Sequence, residues 1–181
     1  DILLERENYD YDLVIRNVPG EQLQAFLQQH GHVDLVGKSF GVFIFKPQGS
    51  KEPIEIALPR TEKSFNTGGY HDFEVTSDHT LPIKKDLKRR DFTMNAIAVN
   101  FVTGEVVDPF KGQIHIQQKV IKTVGRASAR FKEDYTRMMR AVRFAAQLGF
   151  RVDLSTRRGI KKYARHITSV PVERTRDELN K

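Results

Sequence analysis

Two aspartates one residue apart, Asp10 and Asp12, are the first residues whose types and spacing can do chemistry. On a strand, residues two apart share a face and lie about 6.5–7 Å apart along it. Carboxylates so placed repel each other unless a cation neutralises them. Two Mg2+ ions held by such oxygens can stabilise both the attacking and the leaving oxygen in phosphoryl transfer. A solvent-facing strand that carries two acids has the same spelling, so Asp-x-Asp alone is unspecific. Glu55, in Pro-Ile-Glu-Ile-Ala-Leu, lies between two isoleucines that point to the opposite face. A neighbouring strand can bring this third carboxylate beside the pair, although an exposed position on an amphipathic strand is the plainer reading.

A basic run, Lys84-Lys85-Asp86-Leu87-Lys88-Arg89-Arg90, leads straight into Asp91-Phe92-Thr93-Met94-Asn95-Ala96. Read as extended chain, the second part puts Asp91, Thr93 and Asn95 on one side. These polar groups can hold ribose hydroxyls or metal-bound phosphate, and Arg89 and Arg90 can pair with phosphate oxygens. Further on, Glu133-Asp134-Tyr135-Thr136-Arg137 opens a helical pattern. Met138, Ala141, Val142, Ala145 and Leu148 form its apolar stripe, with Asp134 and Arg137 at the edge and Arg140 and Arg143 turning away. Arginine only donates and ionised aspartate only accepts, so Asp134 and Arg137 have the complementary edges needed to read a nucleotide base. A surface ion pair three residues apart has the same spacing. Arg157, Arg158, Lys161, Lys162 and Arg165 sit on a basic helix that can follow an RNA backbone or can simply be solvated. The six histidines have no metal-ligand spacing, and no Ser/His/Asp arrangement stands out.

Short elements must position these residues. Asp10–Ile15 reads as a strand with Tyr11, Leu13 and Ile15 opposite the acids. Gly20–His30 reads as a helix, while 41–46 and 54–58 read as strands. Thr61–Leu81 is polar and reads as a long loop, of the kind that is functional or mobile. Beyond Gly125 the pattern becomes helical, over 133–148, 154–167 and 172–179. This places a boundary near Arg126, with a head over 1–126 and a helical segment over 127–181. The last helix reaches Lys181 with no capping signal, and the chain starts abruptly at Asp1, as in a fragment.

The composition narrows the partners. Thirty Lys and Arg against 23 acidic residues give a formal charge of +7 among 181 residues, which favours a polyanion. Cysteine is absent, which excludes disulfides, a thiol nucleophile and Cys-ligated zinc. That absence fits a cytoplasmic protein. No apolar run approaches the ~20 residues of a membrane span, and no signal peptide is present.

Taken together, the motifs resemble the class II tRNA nucleotidyltransferases (CCA-adding enzymes) and bacterial poly(A) polymerases. The resemblance runs through Asp1-Ile2-Leu3-Leu4, Asp10-Tyr11-Asp12, Gly37-Lys38-Ser39-Phe40-Gly41, 89–96 and Val107-Asp108-Pro109-Phe110-Lys111-Gly112. It continues through 130–134 with Arg137 and then 140–150. The resemblance implies an α+β, polymerase-β-like head with a mixed sheet flanked by helices, followed by an all-helical neck. It implies that Asp10 and Asp12 bind catalytic Mg2+, with Glu55 as a third carboxylate. Asp91, Asn95, Arg89 and Arg90, joined by Arg140 and Arg143, would hold the nucleotide, and Asp134 and Arg137 would select CTP or ATP. The implied acceptor is RNA, with a tRNA 3′ end preferred over poly(A) tailing. A non-catalytic RNA- or nucleotide-binding module is the rival from another class. The family's usual Gly-Gly-x-Val-Arg opening is missing here, with only its following Asp matched by Asp1.

Overall fold

The computed structural model describes residues 11–36, 41–69 and 72–180. Its first elements are β1 (Asp12–Val14), α1 (Gly20–Gln28), β2 (Gly31–Val36), β3 (Val42–Pro47) and β4 (Ile54–Ala57). The four strands form one mixed sheet in the order β1-β4-β3-β2, with β1 parallel to β4 and the other pairs antiparallel. Strand alternation sorts its faces. Phe43, Phe45 and Ile56 point to one side, where they are buried with Leu23 and Leu27 of α1 and with Leu58. Leu13 and Ile15 pack against this cluster, as the apolar alternation around the two aspartates requires.

The segment that reads as a loop is instead a two-stranded ribbon, β5 (Arg60–Ser64) and β6 (Phe73–Ser77). The strands alternate, but largely in polar residues: Arg60, Glu62 and Ser64 are the half-buried positions of β5. Arg60 Nε donates to Glu62 Oε1 at 3.1 Å on that face. Apolar periodicity cannot register such a strand, and the backbone ladder holds it instead.

The remaining elements are α2 (Ile83–Lys88), β7 (Ala98–Val99), β8 (Val106–Val107), α3 (Gly112–Gln117), β9 (Val120–Ile121) and α4 (Ala127–Glu133). Then follow α5 (Thr136–Leu148), β10 (Arg151–Val152), α6 (Leu154–Tyr163) and α7 (Val172–Asn180). The chain forms two compact units. One gathers the described residues as far as Glu62 with Val75–Asp86, and the other takes Lys63–Glu74 and everything from Leu87.

In the second unit, Ala127, Phe131, Tyr135, Met138 and Val170 form a helical core. Phe92, Ile121 and Val124 are almost completely buried elsewhere in the same unit. The helix expected from Glu133 begins at Thr136, because Asp134 is extended and its Oδ1 accepts the Thr136 N–H at 2.8 Å. An aspartate that bonds its own chain two residues on competes with helix there. The helix expected over 154–167 ends at Tyr163 and continues as a 3-10 turn, Ala164–Ser169. On α5, Val142 is 58% exposed and lies outside the buried stripe, which runs through Met138 and Ala141. Arg140 and Arg143, which helical spacing turns away, are drawn inward by carboxylates outside α5.

The Asp108-Pro109-Phe110-Lys111-Gly112 string has a structural reason. Asp108 Oδ1 and Oδ2 accept the backbone N–H groups of Gly112 and Gln113 at 2.6 and 2.9 Å, satisfying the start of α3. A Cβ on Gly112 would collide with the Thr93 carbonyl oxygen. Gly112→Ala is therefore expected to destabilise the protein by about 1–3 kcal/mol, the usual range for overpacking. Thermal or urea unfolding of the variant checks this.

Candidate functional site

Two sets of polar residues stand out, one in each unit. In the first unit, Asp12 of β1 pairs with Glu55 of β4 in parallel register. Register partners on adjacent strands point the same way, so both carboxylates lie on the face opposite the core, where both residues are exposed. Neither has a hydrogen bond or ion pair among the described residues. Two unpartnered hard oxygen donors side by side suit a divalent cation such as Mg2+. No described group of three or more His, Cys, Asp or Glu could hold a metal. Asp10 lies outside the described residues, as do Asp1–Leu4 and Gly37–Phe40.

In the second unit, the segment expected to be extended from Asp91 forms a 3-10 turn over Thr93–Asn95. Residues 91–93 are held by backbone pairing with 122–124. The Thr93 N–H donates to Lys122 O and the Val124 N–H to Asp91 O, each at 2.9 Å. Asp91 and Asn95 therefore meet by a turn and not by strand alternation. Asn95 Nδ2 donates to Asp91 Oδ1 at 3.1 Å, and the Phe92 N–H donates to the same oxygen at 2.7 Å. Thr93 points elsewhere, its Oγ1 lying 3.0 Å from His115 Nδ1. Arg90 donates from NH1 to Asn95 O at 3.2 Å, while its Nε is buried without a partner among the described residues.

Asp91 Oδ2 accepts from Arg140 Nε at 2.7 Å. Glu178, at the far end of α7, reaches Arg140 NH1 at 3.6 Å and accepts from Arg143 Nε at 2.8 Å. The two guanidinium groups flank the Phe144 ring at 5.2 and 4.2 Å from its centroid. Phe144 in turn packs edge-on against Phe92. Burial alone would raise the Asp91 carboxyl pKa. The Arg140 charge and the three hydrogen bonds outweigh it and hold that carboxyl below the usual range. Burial likewise opposes the charge on Arg140, but Asp91 and then Glu178 overcome it.

Asp134 and Arg137 adjoin, with Oδ2 and Nε 3.9 Å apart. The main partner of Arg137 is nevertheless Glu133, whose Oε2 accepts from NH1 at 2.6 Å. The same Oε2 accepts from Arg130 NH1 at 2.8 Å. Arg130 also donates to the backbone oxygens of Lys88, Arg89 and Val124 at 3.0, 3.2 and 3.3 Å. The sequence alone gives no role to Arg130, Glu178 or His115, and it marks Glu133 only as the start of a helical pattern. Glu133 lies one turn before Arg137, a spacing that signals an ion pair. Glu178 is 35 residues from Arg143 and carries no local signal.

Tyr135 fixes the approach to Arg137. Its N–H donates to Gly68 O at 3.1 Å, and any Cβ on Gly68, where φ is +84°, would enter the Tyr135 ring. The ring of Phe73 lies 6.0 Å from the Arg137 guanidinium. On α6, Arg157, Arg158, Lys161 and Lys162 are exposed, as is Arg165 in the turn beyond, whereas Thr156 and Gly159 face inward. Among the described residues no helix is long and apolar enough to cross a membrane.

A mixed sheet with a carboxylate face, followed by helices rich in arginine–carboxylate pairs, defines the class of polymerase-β-like nucleotidyltransferase heads. Residues 1–122 match the family model described as "Poly A polymerase head domain". Residues 149–181 match a second, "Probable RNA and SrmB- binding site of polymerase A". The chain therefore belongs to the poly A polymerase head-domain family.

Among its relatives, the CCA-adding enzymes of Bacillus cytotoxicus and Geobacillus thermodenitrificans are each 39% identical over the whole of this chain. The chain spans 43% and 42% of their lengths, less than half of each. The Bacillus stearothermophilus CCA-adding enzyme, solved in complex with CTP, superposes on 99% of the chain with a TM-score of 0.81 at 35% identity. This chain covers 40% of that structure. The Thermotoga maritima CCA-adding enzyme complexed with tRNA superposes with a TM-score of 0.76 at 28% identity, over 99% of this chain and 39% of that one.

Proposed function

We propose that the protein containing this chain is a template-independent RNA nucleotidyltransferase that adds CMP, AMP or both from CTP and ATP to tRNA 3′ ends. The observation that carries the reading is the exposed pair Asp12 and Glu55, unpartnered among the described residues and in lateral register on the sheet face opposite the core. The CCA-adding relatives support tRNA over poly(A) tailing. The division into a head over 1–126 and a neck over 127–181 belongs to the same proposal, as does a cytoplasmic setting.

Asp12, with Asp10, would hold Mg2+, and Glu55 would be the third carboxylate. When bound, the metal lowers the pKa of the RNA 3′-hydroxyl and offsets charge on the phosphates. The hydroxyl oxygen attacks the α-phosphorus of the incoming nucleotide and gives its proton to solvent; the new oxygen–phosphorus bond forms as the bond from the α-phosphorus to the bridging oxygen breaks, and pyrophosphate leaves with that electron pair. Asp91 and Asn95 would bind the ribose. Arg89, Arg90, Arg140 and Arg143 would offer cationic donors to the triphosphate. Asp134 and Arg137 would read the base edge. In that role Glu133 would orient the Arg137 guanidinium while leaving part of its edge available. Arg157, Arg158, Lys161, Lys162 and Arg165 would follow the RNA backbone, with binding that weakens steeply with salt.

Incubating the full-length protein with Mg2+ and labelled CTP or ATP tests the reading. Three primers are needed: tRNA lacking its CCA end, tRNA ending in CC, and an unstructured oligoribonucleotide. Addition of one to three nucleotides to tRNA supports it, and the pattern separates full CCA, CC-only and A-only addition. Long A tails on the oligoribonucleotide would instead make the protein a poly(A) polymerase. Nucleotide binding with no incorporation on any primer would favour the non-catalytic module.

Arg137→Ala is expected to reduce discrimination of CTP and ATP against UTP and GTP by about tenfold or more, as when a bidentate reader is lost. Competition assays with mixed nucleotides measure it. Unchanged preference would return Asp134 and Arg137 to the status of a structural ion-pair cluster.

A further inference from the structure

One short helix grips the 3-10 turn at a single residue. Gly112 and His115 are three apart on α3 and so share a face of the helix. Both meet Thr93: Gly112 through its close approach to the carbonyl oxygen, and His115 through a ring nitrogen 3.0 Å from the hydroxyl. Thr93 is 3% exposed, so its hydroxyl has almost no access to water. Its backbone is already committed, the N–H to Lys122 O and the carbonyl to the Ala96 N–H at 3.1 Å. The side-chain bond to His115 therefore sets the rotamer of a residue at the centre of the turn. The residues on either side, Asp91 and Asn95, meet only because that turn is closed.

We propose that His115 is a positioning residue for the incoming nucleotide, acting through Thr93 to hold the turn that sets Asn95 against Asp91. The proposal rests on the reading of Asp91 and Asn95 as nucleotide-binding residues. His115 acts through Thr93 and need not touch the nucleotide. Burial, then the Lys122 charge, pushes the His115 imidazole below its usual pKa. Lys111 acts in the same direction, and Asp153 and Asp108 act against it. Either Thr93 Oγ1 or His115 Nδ1 can donate in this bond, according to the imidazole tautomer, and the 3.0 Å separation suits both.

Equilibrium binding of CTP and of ATP to the full-length protein with Mg2+, without primer, tests this in His115→Ala, Thr93→Val and the double variant. Each single substitution is expected to weaken binding about three- to tenfold, the loss of one buried hydrogen bond. The double variant should be no weaker than the worse single, because both remove the same bond. In steady state the nucleotide KM should rise by the same factor while the primer KM stays. His115→Asn places an amide oxygen near the Nδ1 position and should restore binding, whereas the longer side chain of His115→Gln should not. That comparison decides the matter should His115→Ala fail to fold. Wild-type affinity in a folded His115→Ala variant, or losses that multiply in the double variant, would overturn the proposal. If the wild-type protein binds neither nucleotide, the reading of Asp91 and Asn95 falls, and this proposal with it.

Discussion

Asp12→Ala is expected to reduce nucleotide incorporation by at least about a thousandfold while leaving the protein folded. The size follows from the several kcal/mol that metal-mediated charge stabilisation contributes in phosphoryl transfer, at about 1.4 kcal/mol per tenfold. The separation of activity from stability follows from where Asp12 sits. It is exposed, it lies on the face away from Phe43 and Ile56, and its register partner is another carboxylate. Like charges side by side on adjacent strands destabilise a sheet. Without metal, removing one should therefore leave the melting temperature unchanged or slightly higher. Added Mg2+ should raise the melting temperature of the wild type by mass action and that of the variant much less. Single-nucleotide extension assays and melts with and without Mg2+ supply the two readouts. Near-normal turnover in Asp12→Ala would remove the metal from this carboxylate pair and leave an exposed strand face that happens to be acidic.

Asp91→Ala is expected to damage both stability and nucleotide binding. Asp91 is 7% exposed and accepts from Arg140, Asn95 and the Phe92 backbone. Its loss strips the half-buried Arg140 guanidinium of its shortest ion pair. Breaking a buried pair from one side generally costs about 3–5 kcal/mol. Arg140 is partly exposed and keeps Glu178 at 3.6 Å, so a loss somewhat below that range, about 2–3 kcal/mol, is expected. Urea unfolding of Asp91→Ala and Asp91→Asn measures it, with Asn retaining the shape but losing the charge.

The same carboxylate gives the acid limb of stability a definite sign. Its pKa in the folded protein is below that of the unfolded chain, about 3.9. The stabilisation is therefore fully present above about pH 4 and is lost as pH falls towards the lower, folded value. Asp91→Asn should flatten that limb. An unchanged acid profile would mean that Asp91 is not charged and paired in the fold.

Glu178 shows how the two halves of the helical region share this network. It lies near the end of α7, yet it bonds Arg143 and approaches Arg140 on α5. The nucleotide-binding arginines proposed on α5 are therefore oriented partly by a residue of the segment that matches the RNA-binding model. Alternation around Asp12 and Glu55 made the carboxylate face legible, because period-two patterning sends the apolar neighbours to the core and the acids away from it. Helical spacing also placed Arg137 next to Asp134. The same spacing misplaced Arg140 and Arg143, because the cylinder approximation knows nothing of the partners that later approach it.

Residue type and local spacing by themselves determined the mixture of strands and helices, the predominance of helix after Gly125, the family resemblance and the surface distribution of the α6 cations. These follow from periodicities and strings carried within a few turns of chain. Only the tertiary structure decided that 60–64 and 73–77 pair as a ribbon, since their alternation is polar and the strands are stabilised by each other. Only the tertiary structure decided that Asp91 and Asn95 meet through a 3-10 turn, since α3 presses on Thr93 from a position twenty residues later. It alone also joined Asp91 to Arg140, and Glu178 to α5. A charge's partner across tens of residues is set by how helices pack, and no local pattern encodes that distance.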